Sequence, residues 1–263
     1  MSGFTVTGSR DPRSPADRSD PSMSVGIVVP TYNEADNLPV LVARLAALNL
    51  DAWEVIVVDD ASPDGTGRVA EALVRQYPGR VVVVHQPRRM GLGSAYRAGF
   101  RRALRDGVSW VVQMDADLSH APEDLPRLLE EARRADVVVG SRYVPGGSTD
   151  PRWGRGRRWL SRFGNLYARW VTGLQVRDAT AGFKVFRREV LERIGIEDLR
   201  SDGYAFQVEV ALRCQRLGVR VTEVPIHFRA RVAGRSKLGL RQVGEAVWRL
   251  WTFRLWVGRG GRR

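Results

Sequence analysis

The sequence predicts an α/β domain built on a mostly parallel central sheet, and three observations carry that prediction. Short β-branched runs alternate with helix-length amphipathic stretches from Val25 onward. The runs are continuously apolar, as strands covered on both faces are. Polar and acidic clusters follow the runs directly, at the strand ends where open sheets of this kind bind ligands.

Taken in order, the first 22 residues are rich in Ser, Asp, Arg and Pro and lack a continuous apolar core. They are expected to form a disordered tail and not a signal peptide. The strand VGIVVP runs into PTYNE (30–34), and EADNLPVLVARLAAL has helix length. The strand VIVVDD closes on DDASPDG (59–65), where Asp64-Gly65 turns the chain before the helix GTGRVAEALVRQY. VVVVH is a third strand. GLGSAYRAG after it invites a phosphate-loop reading, but it lacks the Gly-Lys-Ser/Thr ending and follows a loop, so that reading is set aside. WVVQMD ends in Asp115-Ala116-Asp117, and VVVGSR in GSRY (140–143).

Beyond Tyr143 the texture changes: Arg142 to Trp170 holds seven Arg against one Asp. A strand-turn-helix signal, DATAGFKVFRREVLERIG, a helix, AFQVEVALRCQRLG, and a strand, VRVTEVPIHF, come next. Leu240, Val243, Val247, Leu250 and Trp251 then recur at helical spacing with Arg241, Arg249 and Arg254 among them. No internal repeat is visible. One domain is expected over 23–238, with an interfacial helix segment at 152–172, followed by a C-terminal amphipathic helix and basic tail at 239–263.

In 263 residues, 42 basic side chains outnumber 29 acidic ones, a net charge of +13. Such an excess points to an anionic partner: nucleic acid, a membrane surface or a phosphorylated substrate. The single cysteine, Cys214, allows no internal disulfide and favours a cytosolic setting. The longest uncharged run, Pro21 to Asn33, is far shorter than the roughly 20 apolar residues of a membrane span.

Two carboxylates at a strand end, Asp115 and Asp117, repel each other unless a cation relieves them. A hard divalent ion does so, sharing its other positions with substrate phosphates and water. The rival reading is a solvated turn in which Asp117 or Ser119 caps a helix starting near Pro122; it explains one acid and not both. His85, His120 and His227 show no metal spacing and are read as ordinary structural histidines.

In this order and spacing, VVPTYNEADNLP, VVDDASPDGT, GLGSAYRAGF, MDADLSHAPEDLP and VVGSRYVPGG resemble the family 2 inverting glycosyltransferases. DATAGFKVFRREVLE, SDGYAFQVEV and RARVAGRSKLG resemble the polyprenyl- or dolichol-phosphate mannose synthases within that family. The resemblance implies a GT-A-type nucleotide-sugar-binding domain with basic amphipathic interfacial helices. It implies that Pro30, Tyr32 and Glu34 line the nucleotide pocket, with Val58 and Asp60 on the guanine and ribose side. Asp115, Ala116 and Asp117 would surround the diphosphate and a Mg²⁺ or Mn²⁺ ion, with Asp117 the main ligand. Ser119 stands where relatives often carry Gln, and its shorter hydroxyl leaves room for a water at the metal. Arg142, Arg231 and Lys237 match phosphate-contacting residues, and Arg142, Arg157 and Ser161 fall where the lipid phosphate is held. Asp115, Asp117 and Arg142 are the catalytic candidates.

The reaction so implied transfers mannose from GDP-mannose to polyprenyl phosphate; UDP-glucose as donor is the alternative. A phosphate acceptor needs positioning more than deprotonation, whereas a hydroxyl acceptor needs a carboxylate base. Asp202 and Glu209 are the candidates for such a base, and they do not form the Glu-Asp pair of hydroxyl-directed relatives. Six of the eight tryptophans lie in 153–170 and 248–256, among Arg, as an interfacial helix requires. Peripheral attachment at the cytoplasmic membrane face is expected, directly or through an anchoring partner. A nucleic-acid-binding protein, the reading from another class, has no recognised reader motif to support it.

Overall fold

A computed structural model of the chain describes residues 23–230 and Trp251. The expected tail at 1–22, Arg231, Lys237 and, apart from Trp251, the 239–263 helix lie outside the described residues.

Seven strands form the main sheet: β1 (Ser24–Thr31), β2 (Ala52–Asp59), β3 (Val81–His85), β4 (Trp110–Gln113), β5 (Val137–Ser141), β7 (Lys184–Arg187) and β8 (Val221–Pro225). Their order is β3-β2-β1-β4-β7-β5-β8, with a separate two-stranded ribbon of β6 (Ser148–Thr149) and β9 (His227–Phe228). All pairs in the main sheet are parallel except those of β7, which runs against both β4 and β5. The direction of β7 and the short ribbon are not visible in the sequence pattern.

The continuous apolar runs resolve into two faces. Along β1, Val25, Ile27 and Val29 enter one core and Val28 the other; along β2, Val55 and Val57 oppose Ile56 and Val58. Helices α1 (Asn37–Ala46), α2 (Thr66–Gln76) and α4 (Leu125–Ala132) cover the first face through Leu38, Leu41, Leu45, Leu73 and Leu128. Helices α3 (Leu92–Asp106), α6 (Arg188–Ile194) and α7 (Gly203–Arg216) cover the second through Phe100, Leu191 and Phe206. Each such side chain taken fully from water contributes roughly 1.5–3 kcal/mol. Helix α5 (Arg155–Thr172) stands outside these layers, with its last turns packing Ala168 and Val171 on Leu212 of α7.

GLGSAYRAG proves to be the first half of α3, and its glycines serve packing. A Cβ on Gly99 would overlap Val28 of β1, and one on Gly93 would overlap the Ser201 carbonyl. Small residues there let α3 lie directly on the sheet.

Candidate active site

The chain order reverses between β1 and β4: β2 and β3 extend the sheet to one side and β4 to the other. At such a switch point the loops after the two strands separate and leave a crevice at their carboxyl ends. The motifs singled out in the sequence converge there. Among the described residues, four non-glycine residues have φ above zero, and three of them follow these ends: Asn33 (58°) after β1, Ala61 (55°) after β2 and Leu118 (61°) after β4. Such positions cost about 1–3 kcal/mol each unless the surroundings enforce them, and they gather at functional sites.

At the end of β1, Pro30 is buried and paired with Val58, whereas Tyr32 and Glu34 are half-exposed. The Glu34 amide donates to the Thr66 hydroxyl at 2.9 Å, and its carboxylate accepts from Asn37 Nδ2 at 2.8 Å. Arg89 lies 4.1 Å above the Tyr32 ring, a cation–π contact that joins the two loops. At the end of β2 the Val58 side chain is core, packed with Ala95 and Phe100. Val58 is wholly buried and its carbonyl accepts from the Thr31 hydroxyl, so the nucleotide contact expected from resemblance finds no exposed atom there. Both Asp60 oxygens accept backbone hydrogens, from Met90 at 2.6 Å and Gly91 at 2.9 Å. Asp60 thereby anchors the loop that leads into α3.

β4 stops at Gln113, and the carboxylates follow in a tight turn. Asp117 is buried, and its Oδ1 accepts from the Ser119 amide at 3.1 Å and the Ser119 hydroxyl at 2.5 Å. Ser119 donates its hydroxyl hydrogen to Asp117 and steadies that carboxylate, its oxygen lone pairs remaining on the same side chain. The helix-capping alternative fails: the turn at Pro122–Asp124 begins from Ala121 with no side-chain cap. Ala116 is buried between the two acids. Asp115 remains partly exposed; Tyr96 donates to its Oδ1 at 3.0 Å, and its amide donates to His120 Nδ1 at 3.2 Å.

His120 is fully buried against Phe183 and Phe228. Burial lowers its pKa despite the two nearby carboxylates, so it is neutral at pH 7 with its hydrogen on Nε2. Its 3.8 Å approach to Asp115 Oδ2 is therefore not an ion pair. Burial, and then the charge of Asp115, push the Tyr96 hydroxyl far above its ordinary range, and it stays a donor. Sequence reasoning read His120 as an ordinary structural histidine and missed Tyr96. Tyr96 lies four before Phe100 on the apolar face of α3 and reads as core; its need for a hydroxyl partner was the available signal.

At the end of β5, Arg142 is buried with a partner that sequence reasoning also missed. Its Nε and Nη2 donate to the two Asp178 oxygens at 2.8 and 2.7 Å, its backbone amide donates to Asp178 Oδ2 at 2.9 Å, and Nη2 also reaches Thr180 at 2.8 Å. Burial opposes both charges, yet the pairing wins: Arg142 is held above and Asp178 below its ordinary pKa. The arginine expected to meet a phosphate is thus already neutralised and fixed in direction. Tyr143 and Ser161 share a hydrogen bond of 2.7 Å that ties this strand end to α5, and Arg157 stacks on Trp153 at 4.0 Å.

Both candidate bases carry structural hydrogen bonds. Glu209 accepts from the amides of Arg200 and Ser201 and pairs with Arg213. Asp202 caps α7 through Gly203 and accepts from the Gly93 amide at 2.6 Å, anchoring α3.

The carboxylate pair fits a hard divalent ion in donor chemistry. Among the described residues no group of three His, Cys, Asp or Glu could hold a metal by itself. An ion here would complete its shell from diphosphate and water.

On α5, Trp159 (74% exposed), Leu160, Phe163, Leu166 and Trp170 (66%) form one exposed apolar face with Arg155, Arg157, Arg158 and Arg162 beside it. Trp251 sits edge-on to Trp170 and donates to the Tyr167 hydroxyl at 2.8 Å. No described helix is long and apolar enough to cross a membrane.

Comparisons with known proteins bear on the family and the fold. The family model of glycosyl transferase family 2 matches residues 26–195. An undecaprenyl-phosphate mannosyltransferase of Micrococcus luteus is 47% identical over 225 residues, 86% of this chain and 91% of that protein. A polyprenol monophosphomannose synthase of Mycolicibacterium smegmatis is 45% identical over 231 residues, 88% of this chain and 86% of that one. Among solved structures, glucosyl-3-phosphoglycerate synthase of Mycobacterium tuberculosis, in complex with Mn²⁺, UDP and glucosyl-3-phosphoglycerate, shares the fold. Its TM-score is 0.64 at 21% identity, covering 95% of this chain and 85% of that chain.

Proposed function

The chain belongs to glycosyl transferase family 2, and from that premise we propose that it moves mannose from GDP-mannose to polyprenyl monophosphate with inversion. The likeness along almost the whole of an undecaprenyl-phosphate mannosyltransferase carries the choice of sugar and acceptor. In the reaction an acceptor phosphate oxygen attacks the anomeric carbon opposite the diphosphate. The new C–O bond forms as the bond to the β-phosphate oxygen breaks, and GDP leaves with the electron pair. A phosphate monoester is largely ionised at pH 7, its second pKa being about 6, and needs no base. The structural commitments of Asp202 and Glu209 are in keeping with that.

Asp117 and Asp115 are the residues to hold Mg²⁺ or Mn²⁺, which when bound supplies positive charge for the departing diphosphate. Ser119 keeps Asp117 turned toward it. Pro30, Tyr32, Glu34 and the loop anchored by Asp60 form the nucleotide side, with Arg231 and Lys237 as further diphosphate contacts. Arg142, fixed by Asp178, offers directed hydrogen bonds to the acceptor phosphate together with Arg157 and Ser161. Residues 23–238 act as the catalytic domain. The exposed apolar face of α5 rests on the cytoplasmic membrane surface, where the acceptor is embedded, with or without an anchoring partner.

The test is transfer of radiolabel from GDP-mannose, and in parallel from UDP-glucose, to polyprenyl phosphate with Mg²⁺ or Mn²⁺. Metal-dependent mannolipid is the expected product; glucolipid alone would overturn the sugar, and no lipid product would overturn the acceptor. For the membrane face, the triple variant Trp159→Ala/Phe163→Ala/Trp170→Ala is expected to stop co-floating with anionic vesicles while still binding GDP. Large aromatic groups supply the apolar part of such binding. Undiminished flotation would remove α5 from the membrane contact.

A further inference from the structure

The carboxylate that holds Arg142 lies in the loop between α5 and β7, outside any helix or strand. Asp178 is entirely buried there, and the backbone on either side of it is held by side chains from two other elements. Glu223 of β8 accepts from the Arg177 amide at 2.7 Å and from the Asp178 amide at 2.9 Å. Asn165 of α5 takes the groups that flank them: its Nδ2 donates to the Arg177 carbonyl at 2.5 Å, and its Oδ1 accepts from the Ala179 amide at 2.9 Å.

The Asn165 amide can take only this orientation, because a carbonyl accepts and a backbone N–H donates. Asn165 is itself buried, so its loss would leave two buried backbone groups without that partner. Ser161 lies four residues before it on the same side of α5 and shares its hydroxyl with Tyr143, the neighbour of Arg142. Over 159–166 the helix thus turns Ser161 and Asn165 inward and Trp159, Phe163 and Leu166 outward. That is the reverse of an ordinary surface helix, whose apolar stripe faces the core. Packing alone would be served at 165 by an apolar side chain, as it is at Ala168 and Val171. An amide paired at both ends adds direction. Arg142 in turn places its backbone amide, Nε and Nη2 on Asp178, so any rotation of that carboxylate turns the guanidinium with it.

We propose that Asn165 is a positioning residue for the acceptor phosphate: from α5 it fixes the backbone at 177–179 and, through Asp178, the direction in which Arg142 presents its guanidinium. This rests on the proposed function, since it takes Arg142 to meet the acceptor phosphate. One helix then carries the exposed apolar face on one side and the alignment of the acceptor site on the other.

The test is steady-state transfer by the full chain, with GDP-mannose and polyprenyl phosphate varied in turn in detergent, beside thermal melting. Asn165→Ala is expected to raise the KM for polyprenyl phosphate about tenfold, the worth of roughly one hydrogen bond, with the KM for GDP-mannose unaltered. Asn165→Asp keeps the shape and the bond from Ala179 but loses the donation to the Arg177 carbonyl. It is expected to move the same constant in the same direction, and it serves if the alanine variant is too unstable to assay. Arg142→Lys keeps the charge and loses the forked contact with Asp178. Adding Asn165→Ala to it should therefore raise the acceptor KM little further. Lower melting with both constants unaltered would make Asn165 an anchor of α5 alone and overturn the proposal. A joint rise in both constants, or full additivity with Arg142→Lys, overturns it as well. Failure of the wild type to make mannolipid instead overturns the proposed function beneath it.

Discussion

Asp117→Ala is expected to lower mannosyl transfer roughly 10²–10³-fold or more, the loss usual when one preorganised contributor to transition-state charge is removed. The side chain is buried just beyond the carboxyl end of β4, in the Asp115-x-Asp117 pair. Alanine also strands the Ser119 amide and hydroxyl, which lose their acceptor at a cost of about 1–3 kcal/mol per buried group. Asp117→Asn separates the two effects. Its remaining carbonyl oxygen can keep the turn, so melting near that of wild type with transfer as poor as in Asp117→Ala would assign the loss to charge. Asn retaining near-wild-type transfer with Mg²⁺ or Mn²⁺ would sink the metal role of Asp117.

The largest stability effect is expected from Asp178→Ala. It leaves the Arg142 guanidinium buried and unmatched and removes the acceptor of the Arg142 amide. Breaking a buried pair from one side costs roughly 3–5 kcal/mol, and replacing both members by apolar side chains costs far less. Chemical denaturation should therefore show Asp178→Ala well below wild type, with Arg142→Met/Asp178→Leu recovering much of the difference. Equal losses in the two variants would refute the pairing account. The pair also leaves a trace in acid. Since Asp178 is held below its ordinary pKa, its contribution is complete above the unfolded value of about 3.9 and is lost as pH falls through the lower folded value. The double variant should lack that part of the acid limb.

The strands and their crevice were legible because their signals are local. An apolar run such as VIVVDD encodes both its burial and its end, and Asp115-x-Asp117 advertises repulsion that something must relieve. The direction of β7 had no such signal: Lys184-Val-Phe-Arg reads the same either way, and only its place between β4 and β5 decides. The long-range partners were hidden for a related reason. Asp178 is 36 positions from Arg142 and Tyr96 is 19 from Asp115, and nothing in either local pattern names the other. Glu209 shows the converse error, a carboxylate plausible as a base by position and absorbed by two amides and an arginine in space.

Because β7 lies between β4 and β5, the sheet cannot close in the order in which the chain is synthesised. Once Ser141 has emerged, β1 to β4 can already pair, but the outer edge of β4 stays open until Lys184–Arg187 arrives, and β5 has no neighbour before then. Through that interval an apolar edge, Trp110–Gln113, is unpaired on the ribosome, the condition in which chains meet chaperones or aggregate. A nascent chain stalled at residue 175 is expected to be cut readily by protease within 110–141 and protected there once β7 has emerged. Equal protection at both lengths would mean that the first half closes without its central partner.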